Sequence, residues 1–175
     1  GCFAYYCSDG HLGFGFCSES GGFIDCSEST TAFNNIGGIY ANGAHLWAHS
    51  SISHDNVLYG YYALNGGHIE CTNPSNQQCQ AMNNGSHGYY ASNNSYINAV
   101  DSISHHNGHC GYCAEINSTI DVTNSIASEN TSHGFSAIRG STLIAYSSTS
   151  HDNNEHGYFA SANACIQATG TTQNN

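Results

Sequence analysis

The feature that most constrains the fold is a four-residue pattern, Gly-aromatic-x-Ala, that recurs along the chain. Clear copies begin at Gly60, Gly88, Gly111, Gly134 and Gly157. A degenerate copy begins at Gly38 and a weaker one at Gly15, so successive copies are 23, 22, 28, 23, 23 and 23 residues apart. A fixed period of roughly 20–50 residues indicates a repeat architecture, in which each unit stacks on its neighbours.

Alignment of the seven units gives columns of similar residues. An aromatic or apolar residue follows the Gly, an Ala lies three residues after the Gly, and later columns hold Ile or Leu, a small residue and finally Asn. We expect these columns to form the stacked core of the protein. Their members include Tyr89, Ala91, Ile97, Ala99, Asn107, Tyr112, Ile120, Asn130 and Ile166.

Within a unit, the apolar columns are two residues apart, which is the periodicity of a β-strand with one face inward. Gly, Asn and Ser separate about three such strands per unit. Leucine-rich repeats have a similar length, but their Leu-x-x-Leu-x-Leu pattern is missing. The sequence therefore predicts an all-β, single-stranded parallel β-helix solenoid of about seven coils of ~23 residues, stacked at ~4.8 Å.

The repeat defines one domain over residues 1–175, with a partial N-terminal coil at 1–14 and seven coils at 15–175. An insertion loop near 72–78 contains Pro74 and explains the one long spacing. If Cys2 and Ala4 occupy the Ile column and the mostly Ala column two residues after it, which contains Ala48 and Ala99, the chain begins in mid-coil. No end cap is evident in the sequence, so we expect exposed coil edges that can stack on a neighbour.

Composition limits the partners. Charged residues make up 7% of the chain, Arg139 is its single Lys or Arg, and the net charge is -11. Nucleic acids and anionic membranes are bound through Lys and Arg, so this balance argues against both. No apolar run reaches the ~18 residues of a membrane span, and we predict neither membrane insertion nor a cofactor. Nine cysteines together with the absence of Lys favour an oxidising, extracellular setting.

Over residues 15–175, the unit G-[FY]-x-A…I-x-A-x-x-S…N resembles right-handed parallel β-helix proteins, especially phage tail-fibre and tailspike stems and secreted β-helix repeat proteins. The resemblance implies a right-handed coil and an extracellular or virion fibre. Pectate-lyase-like members have coils of similar length, and their catalysis needs a basic residue beside a calcium-binding acid cluster. Arg139 has no such cluster near it in the stacked alignment.

One pair of acids shares a column in adjacent coils. Glu129 and Asp152 would have backbones ~4.8 Å apart, and retaining glycosidases hold two carboxyls ~5–5.5 Å apart. These residues are the catalytic candidates for an alternative function, a tailspike-like domain that binds or hydrolyses polysaccharides. The competing interpretation is that both are solvated turn residues.

Histidines and cysteines suggest metal binding. A column just before the Gly anchor contains His87, Cys110, His133 and His156, and imidazoles and thiolates are ligands for zinc and copper. A stacked ladder projects its side chains in parallel, so we expect a histidine ladder and no bound metal. The CGYC motif at 110–113 is spaced like a thioredoxin-type redox motif but lies between strands, where a structural thiol pair is expected.

The remaining cysteines predict disulfides. Cys71 and Cys79 flank the insertion loop, and a bridge between them would close it. An N-terminal group of unassigned connectivity contains Cys2, Cys7, Cys17 and Cys26. In a head-to-tail stack, Cys2 and Cys165 would approach each other and form an intermolecular bridge.

Two outward-facing features remain. A tyrosine stripe at Tyr40, Tyr62 and Tyr90 would be exposed, either to stack on sugar rings or pack against another chain, or to form a simple surface ladder. Candidate glycan attachment sites lie in acceptor sequons at Asn84, Asn93, Asn117 and Asn130.

Taken together, these features predict a non-enzymatic, self-assembling subunit or segment of an extracellular or virion fibre. Its partners would be copies of itself, stacked head-to-tail, and surface glycans. A lateral trimer through the outward residues Ile52, Ile103 and Ile126 is an alternative mode of association.

Overall fold

A computed structural model describes residues 2–5 and 13–174, and within these it confirms the parallel β-helix. Three parallel sheets form the faces of the coil, and each coil contributes one strand to each face. Sheet 1 has eight strands: β1 (Phe3–Tyr5), β4 (Thr30–Ala32), β7 (Ile52–His54), β10 (Gln80–Met82), β13 (Ile103–His105), β16 (Ile126–Ser128), β19 (Thr149–His151) and β22 (Thr172–Asn174).

Sheets 2 and 3 have seven strands each. Sheet 2 contains β2 (Phe14–Glu19), β5 (Gly37–Asn42), β8 (Tyr59–Leu64), β11 (Tyr89–Ser92), β14 (Tyr112–Glu115), β17 (Phe135–Ile138) and β20 (Tyr158–Ser161). Sheet 3 contains β3 (Phe23–Asp25), β6 (His45–Trp47), β9 (His68–Glu70), β12 (Tyr96–Asn98), β15 (Thr119–Asp121), β18 (Thr142–Ile144) and β21 (Cys165–Gln167). None of the residues in 2–5 and 13–174 is helical, and no helix there could span a membrane.

The register of the sheets is the one that the sequence columns predict. Tyr89 pairs with Tyr112, Ala91 with Ala114 and Ile97 with Ile120. Because adjacent parallel strands lie ~4.8 Å apart, identical side chains stack directly on one another. The buried rings of Tyr61, Tyr89, Tyr112 and Phe135 form an aromatic column with centroid spacings of 4.5, 4.8 and 5.1 Å.

The core consists of these columns and of one that the sequence reading did not include. The Ile/Leu column and the Ala column are fully buried through the middle coils. Sheet 1 adds a second buried column of small residues, which lies two residues after the column of Ser29, Ser51, Cys79, Ser102, Ser125 and Ser148. Its members are Thr31, Ser53, Ala81, Ser104, Ala127 and Ser150. The period of two was the sequence signal that could have identified it.

The asparagine column forms a continuous hydrogen-bonded ladder. In each step the side-chain Nδ2 donates to Oδ1 of the next Asn, for example from Asn84 to Asn107 at 3.0 Å and from Asn107 to Asn130 at 3.0 Å. The backbone N–H of the same Asn donates to that oxygen as well, at 3.1 Å in both cases. The ladder satisfies backbone groups at a buried corner, which would otherwise lack partners.

Glycine is required where this corner enters sheet 2. A Cβ on Gly88 would overlap Ser104 Oγ and lie 2.8 Å from the carbonyl oxygen of Gly111. Several other anchor glycines are equally crowded. The recurrent Gly of the repeat therefore reflects close approach between coils.

The N-terminal register prediction is wrong, whereas the insertion is placed as expected. Ala4 pairs with Thr31 in sheet 1, and the backbone N–H of Cys2 donates to Ser29 Oγ at 3.1 Å. These two residues therefore occupy small-residue columns of sheet 1 and not the columns of sheet 3. A pair of small residues at i and i+2 fits either face, so the sequence did not distinguish them. The insertion loop lies between β9 and β10.

Candidate functional site

The candidate sites lie on the outer faces of the sheets and at the corners, and the residues in 2–5 and 13–174 form no pocket. The most densely built of these surfaces is the outer face of sheet 2. Alternation along the strands points Tyr40, Tyr62, Tyr90 and Cys113 outward, because their neighbours in each strand fill the core.

The prediction that the tyrosine stripe is exposed is wrong. Tyr40 is 5% exposed, and Tyr62 and Tyr90 are half-buried. Aromatic rings from the column before the Gly anchor pack over the stripe. The distances between ring centroids are 4.2 Å for Phe14 and Tyr40, 4.6 Å for Tyr59 and Tyr62, and 4.9 Å for His87 and Tyr90. Burial raises the pKa of Tyr62 to about 12. The stripe is thus an outer packed layer and offers few free ring faces to a sugar.

The aromatic layer is interrupted one coil further on by a group that we call the thiol–imidazole cluster: His87, Cys110 and Cys113. Cys110 precedes β14 and Cys113 lies in it, while His87 comes from the preceding coil. The ligand atoms of the three side chains all lie within 4.8 Å of one another. Cys110 is 1% exposed and Cys113 is 4% exposed.

The two imidazoles at this cluster, those of His87 and His109, differ in whether their Nδ1 atoms have a hydrogen-bond partner. His87 Nδ1 is buried, and no hydrogen-bond partner for it is found among the described residues. The exposed His109 lies at the solvent side of the cluster, with its Nδ1 3.2 Å from Cys110 Sγ and its ring centroid 4.6 Å from that of His87. A buried imidazole nitrogen without a partner costs free energy, which a ligand would recover.

The two thiols of the cluster are electrostatically unlike. A hydrogen bond from Cys113 lowers the pKa of Cys110, the imidazole of His87 acts in the same direction, and burial opposes them. The same hydrogen bond and burial raise the pKa of Cys113. One thiolate is therefore favoured at Cys110, and thiolates are nucleophiles and metal ligands.

The predicted column of His87, Cys110, His133 and His156 is present, but its members form two separate groups. His87 and Cys110 join Cys113, whereas His133 stacks on His156 with centroids 5.3 Å apart. His133 is otherwise occupied, since its Nδ1 accepts the His156 N–H at 3.3 Å and its Nε2 lies 3.2 Å from Glu155. Of the four metal candidates, the structure brings two together and adds Cys113, which the sequence placed in a separate column.

Arg139 pairs with a single carboxylate. Its Nη1 donates to Glu115, and the Tyr90 hydroxyl donates to the other oxygen of the same carboxylate. Glu115 lies in β14, two residues after Cys113. The sequence reading missed it, although Glu115 and Arg139 are one coil apart.

The glycosidase candidates Glu129 and Asp152 follow the paired residues Ser128 and His151, so the predicted shared column is correct. Both side chains are exposed, and both residues have left-handed φ angles, 54° and 55°. Each carboxylate is paired with its own histidine, Glu129 with His106 at 2.8 Å and Asp152 with His151 at 2.8 Å. This geometry is that of a corner turn, and hydrolytic activity stays a prediction.

Most of the predicted disulfide residues lie within the described part of the chain, and there they are free thiols. Cys71 and Cys79 are both buried, on either side of the insertion loop. They are not bridged in the structure, and their disulfide stays a prediction. Cys2, Cys17 and Cys26 are likewise free, and Cys7 lies outside the described residues. Cys2 lies beside sheet 1 and Cys165 in sheet 3, so a simple head-to-tail stack would not bring them together.

Two of the four glycan candidates are excluded in the folded chain. Asn84 and Asn130 belong to the asparagine ladder, are 1% and 0% exposed, and donate hydrogen bonds from the nitrogen that would carry the sugar. Asn93 is half-buried at the surface, with its Nδ2 3.1 Å from Asn65 Oδ1, and Asn117 is exposed. Those two sequons remain candidates.

No protein-family model matches the chain, and no curated protein sequence matches it.

Proposed function

We propose that this chain is a structural rod, a subunit or segment of an extracellular or virion fibre. The observation that carries the proposal is the continuation of the same columns through every coil that the structure describes. A rod of seven coils at ~4.8 Å would be roughly 34 Å long. The resemblance to phage tail-fibre and tailspike stems and the paucity of Lys and Arg support the same role.

The end faces expose residues that are buried elsewhere. Ala160 in the last coil is exposed, whereas its partner Ala137 is 0% exposed. Ile166 and Tyr158 are only partly covered, and Phe16 and Ile24 are partly covered at the opposite end. Exposed strand edges with apolar columns favour the addition of another coil.

The strand count defines how copies could stack. Sheet 1 has eight strands and the other two sheets have seven each. If two copies stack so that their strands of sheets 2 and 3 pair, β1 of one copy falls at the position in sheet 1 that β22 of the other copy already fills. Copies can pair sheets 2 and 3 only if one of these terminal strands moves aside. A chain ending at Gly170 lacks β22, has seven strands per sheet, and could stack with all three sheets paired.

Electron microscopy of negatively stained, purified protein tests the proposal. We expect unbranched rods from the full chain and longer rods, formed at lower protein concentration, from the chain ending at Gly170. Ile166→Lys places a charge on the inward side of β21 and should abolish stacking, whereas Gln167→Lys, on the outward side, should not. Compact monomers from both the full and the shortened chain would contradict the proposal.

A further inference from the structure

The thiol–imidazole cluster carries an inference that is independent of assembly. We propose that His87, Cys110 and Cys113 bind one thiophilic d10 cation, zinc or copper(I), and that this site pins two adjacent coils together. Two thiolates and an imidazole are a common donor set for zinc, and thiolates also favour copper(I).

The distances suit a tetrahedral centre. Metal–sulfur bonds of ~2.3 Å and metal–nitrogen bonds of ~2.0 Å bring ligand atoms to roughly 3.5–3.8 Å from one another. The three atoms lie within 4.8 Å of one another, so closure onto a metal needs movements of about 1 Å. Rotation of two cysteine side chains and one imidazole can supply movements of this size.

The buried, unpartnered Nδ1 of His87 is the second observation that points to a ligand. Two almost fully buried sulfurs lie beside it. On the solvent side, the imidazole of His109 lies 3.2 Å from Cys110 Sγ but is not one of the three side chains whose ligand atoms are mutually within 4.8 Å, so the fourth position is left to water or to a rearranged His109. Two ligands come from one coil and the third from the coil before, which makes the site a cross-link between coils.

The same columns in other coils contain no comparable pair. In the other six coils, the two positions are Phe14 and Cys17, Gly37 and Tyr40, Tyr59 and Tyr62, His87 and Tyr90, His133 and Ser136, and His156 and Phe159. Cysteine occupies both positions only at Cys110 and Cys113. A stacked aromatic layer is therefore replaced by thiols at one level of the rod, directly beside a histidine of the previous level.

The first test is metal uptake by the full chain, kept reduced and without exposure to air. After chelator treatment, we expect one equivalent of Co²⁺ to give thiolate charge-transfer absorption and the visible bands of a tetrahedral site, displaced by one equivalent of Zn²⁺. X-ray absorption of the zinc-loaded wild type should show two sulfur ligands, with nitrogen or oxygen completing the shell. A parallel titration with copper(I) decides between the two cations, and failure of both to bind at one per chain would overturn the proposal.

Variants then locate the site. Cys110→Ser and Cys113→Ser should each weaken binding by more than the roughly 10–100-fold that loss of an outer-shell partner costs. His133→Ala, in the same column one coil further on, should leave uptake unchanged, and so should replacement of the other buried thiol pair, Cys71 and Cys79, by alanine. Circular dichroism verifies that each variant is folded.

The location is wrong if the Cys71/Cys79 double variant loses the metal while Cys110→Ser retains it. A Cys110–Cys113 disulfide in protein purified without air, detected by non-reducing peptide mapping, would also overturn the proposal. The wild-type absorption spectra report the ligand types without any variant, so a variant that fails to fold does not leave the inference untested.

Discussion

Truncation of Asn107 to alanine probes the ladder in the middle of the rod. Its Nδ2 donates to Asn130 Oδ1 at 3.0 Å, to the Ala81 carbonyl at 3.2 Å and to Ser104 Oγ at 3.1 Å. Its Oδ1 accepts from the backbone N–H of Asn84 at 3.1 Å and from Asn84 Nδ2 at 3.0 Å. Asn107 is 1% exposed, so water does not replace these partners.

The magnitude follows from which groups lose all their partners. Asn84 Nδ2 keeps the Ser53 carbonyl at 3.2 Å, and Asn130 Oδ1 keeps the Asn107 backbone N–H. The backbone N–H of Asn84 has no such second acceptor in the ladder, and a buried orphaned donor costs about 1–3 kcal/mol. Asn107 Nδ2 has two hydrogens, so three other bonds are lost at about 0.5–1.5 kcal/mol each, which brings the sum to roughly 2.5–7.5 kcal/mol. Because losses above about 4–5 kcal/mol are exceptional for a single substitution, we expect a destabilisation in the lower part of this range, about 3–5 kcal/mol.

Thermal and urea unfolding, followed by circular dichroism, measure this effect. For a chain of this size the loss corresponds to a decrease in Tm of roughly 6–20 °C. Asn107→Asp should be no milder at neutral pH, because it places an acceptor against Asn130 Oδ1 and the Ala81 carbonyl oxygen. The exposed Asn154→Ala is the matched control, with an expected change of no more than about 0.5 kcal/mol. If Asn107→Ala is as stable as Asn154→Ala, the ladder does not stabilise the fold and the reasoning is wrong.

Three further predictions follow from the core and the surface. Gly88→Ala should cost about 3 kcal/mol in urea unfolding, because its Cβ meets Ser104 Oγ and the Gly111 carbonyl, and wild-type stability would contradict the crowded corner. Burial raises the pKa of each tyrosine in the aromatic column above the unfolded value of ~10, so their stabilisation is complete below that pH and is lost as the pH rises. Their ionisation, followed by ultraviolet absorbance, should coincide with unfolding, and ionisation of the whole tyrosine set in the folded chain would refute this. Expression through a eukaryotic secretory pathway should give glycans at Asn93 and Asn117 and none at the two ladder sequons, as peptide mapping can determine.

The coil could be predicted because the same short sequence pattern recurs in every unit and places equivalent residues at the same point of every coil. When each unit places Ile97 or its equivalents at the same point, parallel stacking follows from strand pairing alone. The N-terminal segment could not be assigned in the same way. Cys2 and Ala4 are small residues two apart, and that pattern is shared by sheets 1 and 3.

The outer face was less predictable because its contacts join side chains of different columns, and the repeat does not show which of these side chains point towards one another. The sequence assigns Cys110 and Cys113 to different columns, and only the turn between them shows that their sulfurs meet beside His87. Similarly, the tyrosine stripe points outward as expected, but its burial comes from rings such as Phe14 that fold over it from another column. Alternation along a strand predicts the face of a side chain and not what covers it.

The measurement that tests the account most directly is the pattern of methyl–methyl nuclear Overhauser effects among alanines of sheet 2. The structure pairs Ala91 with Ala63 on one side and with Ala114 on the other, and Ala114 with Ala137. Because adjacent strands lie ~4.8 Å apart, we expect strong cross-peaks between these successive partners, each one coil apart in sequence, and none that skips a coil. Cross-peaks that connect other pairs, or their absence across the series, would contradict the stacked parallel coil on which both proposals depend.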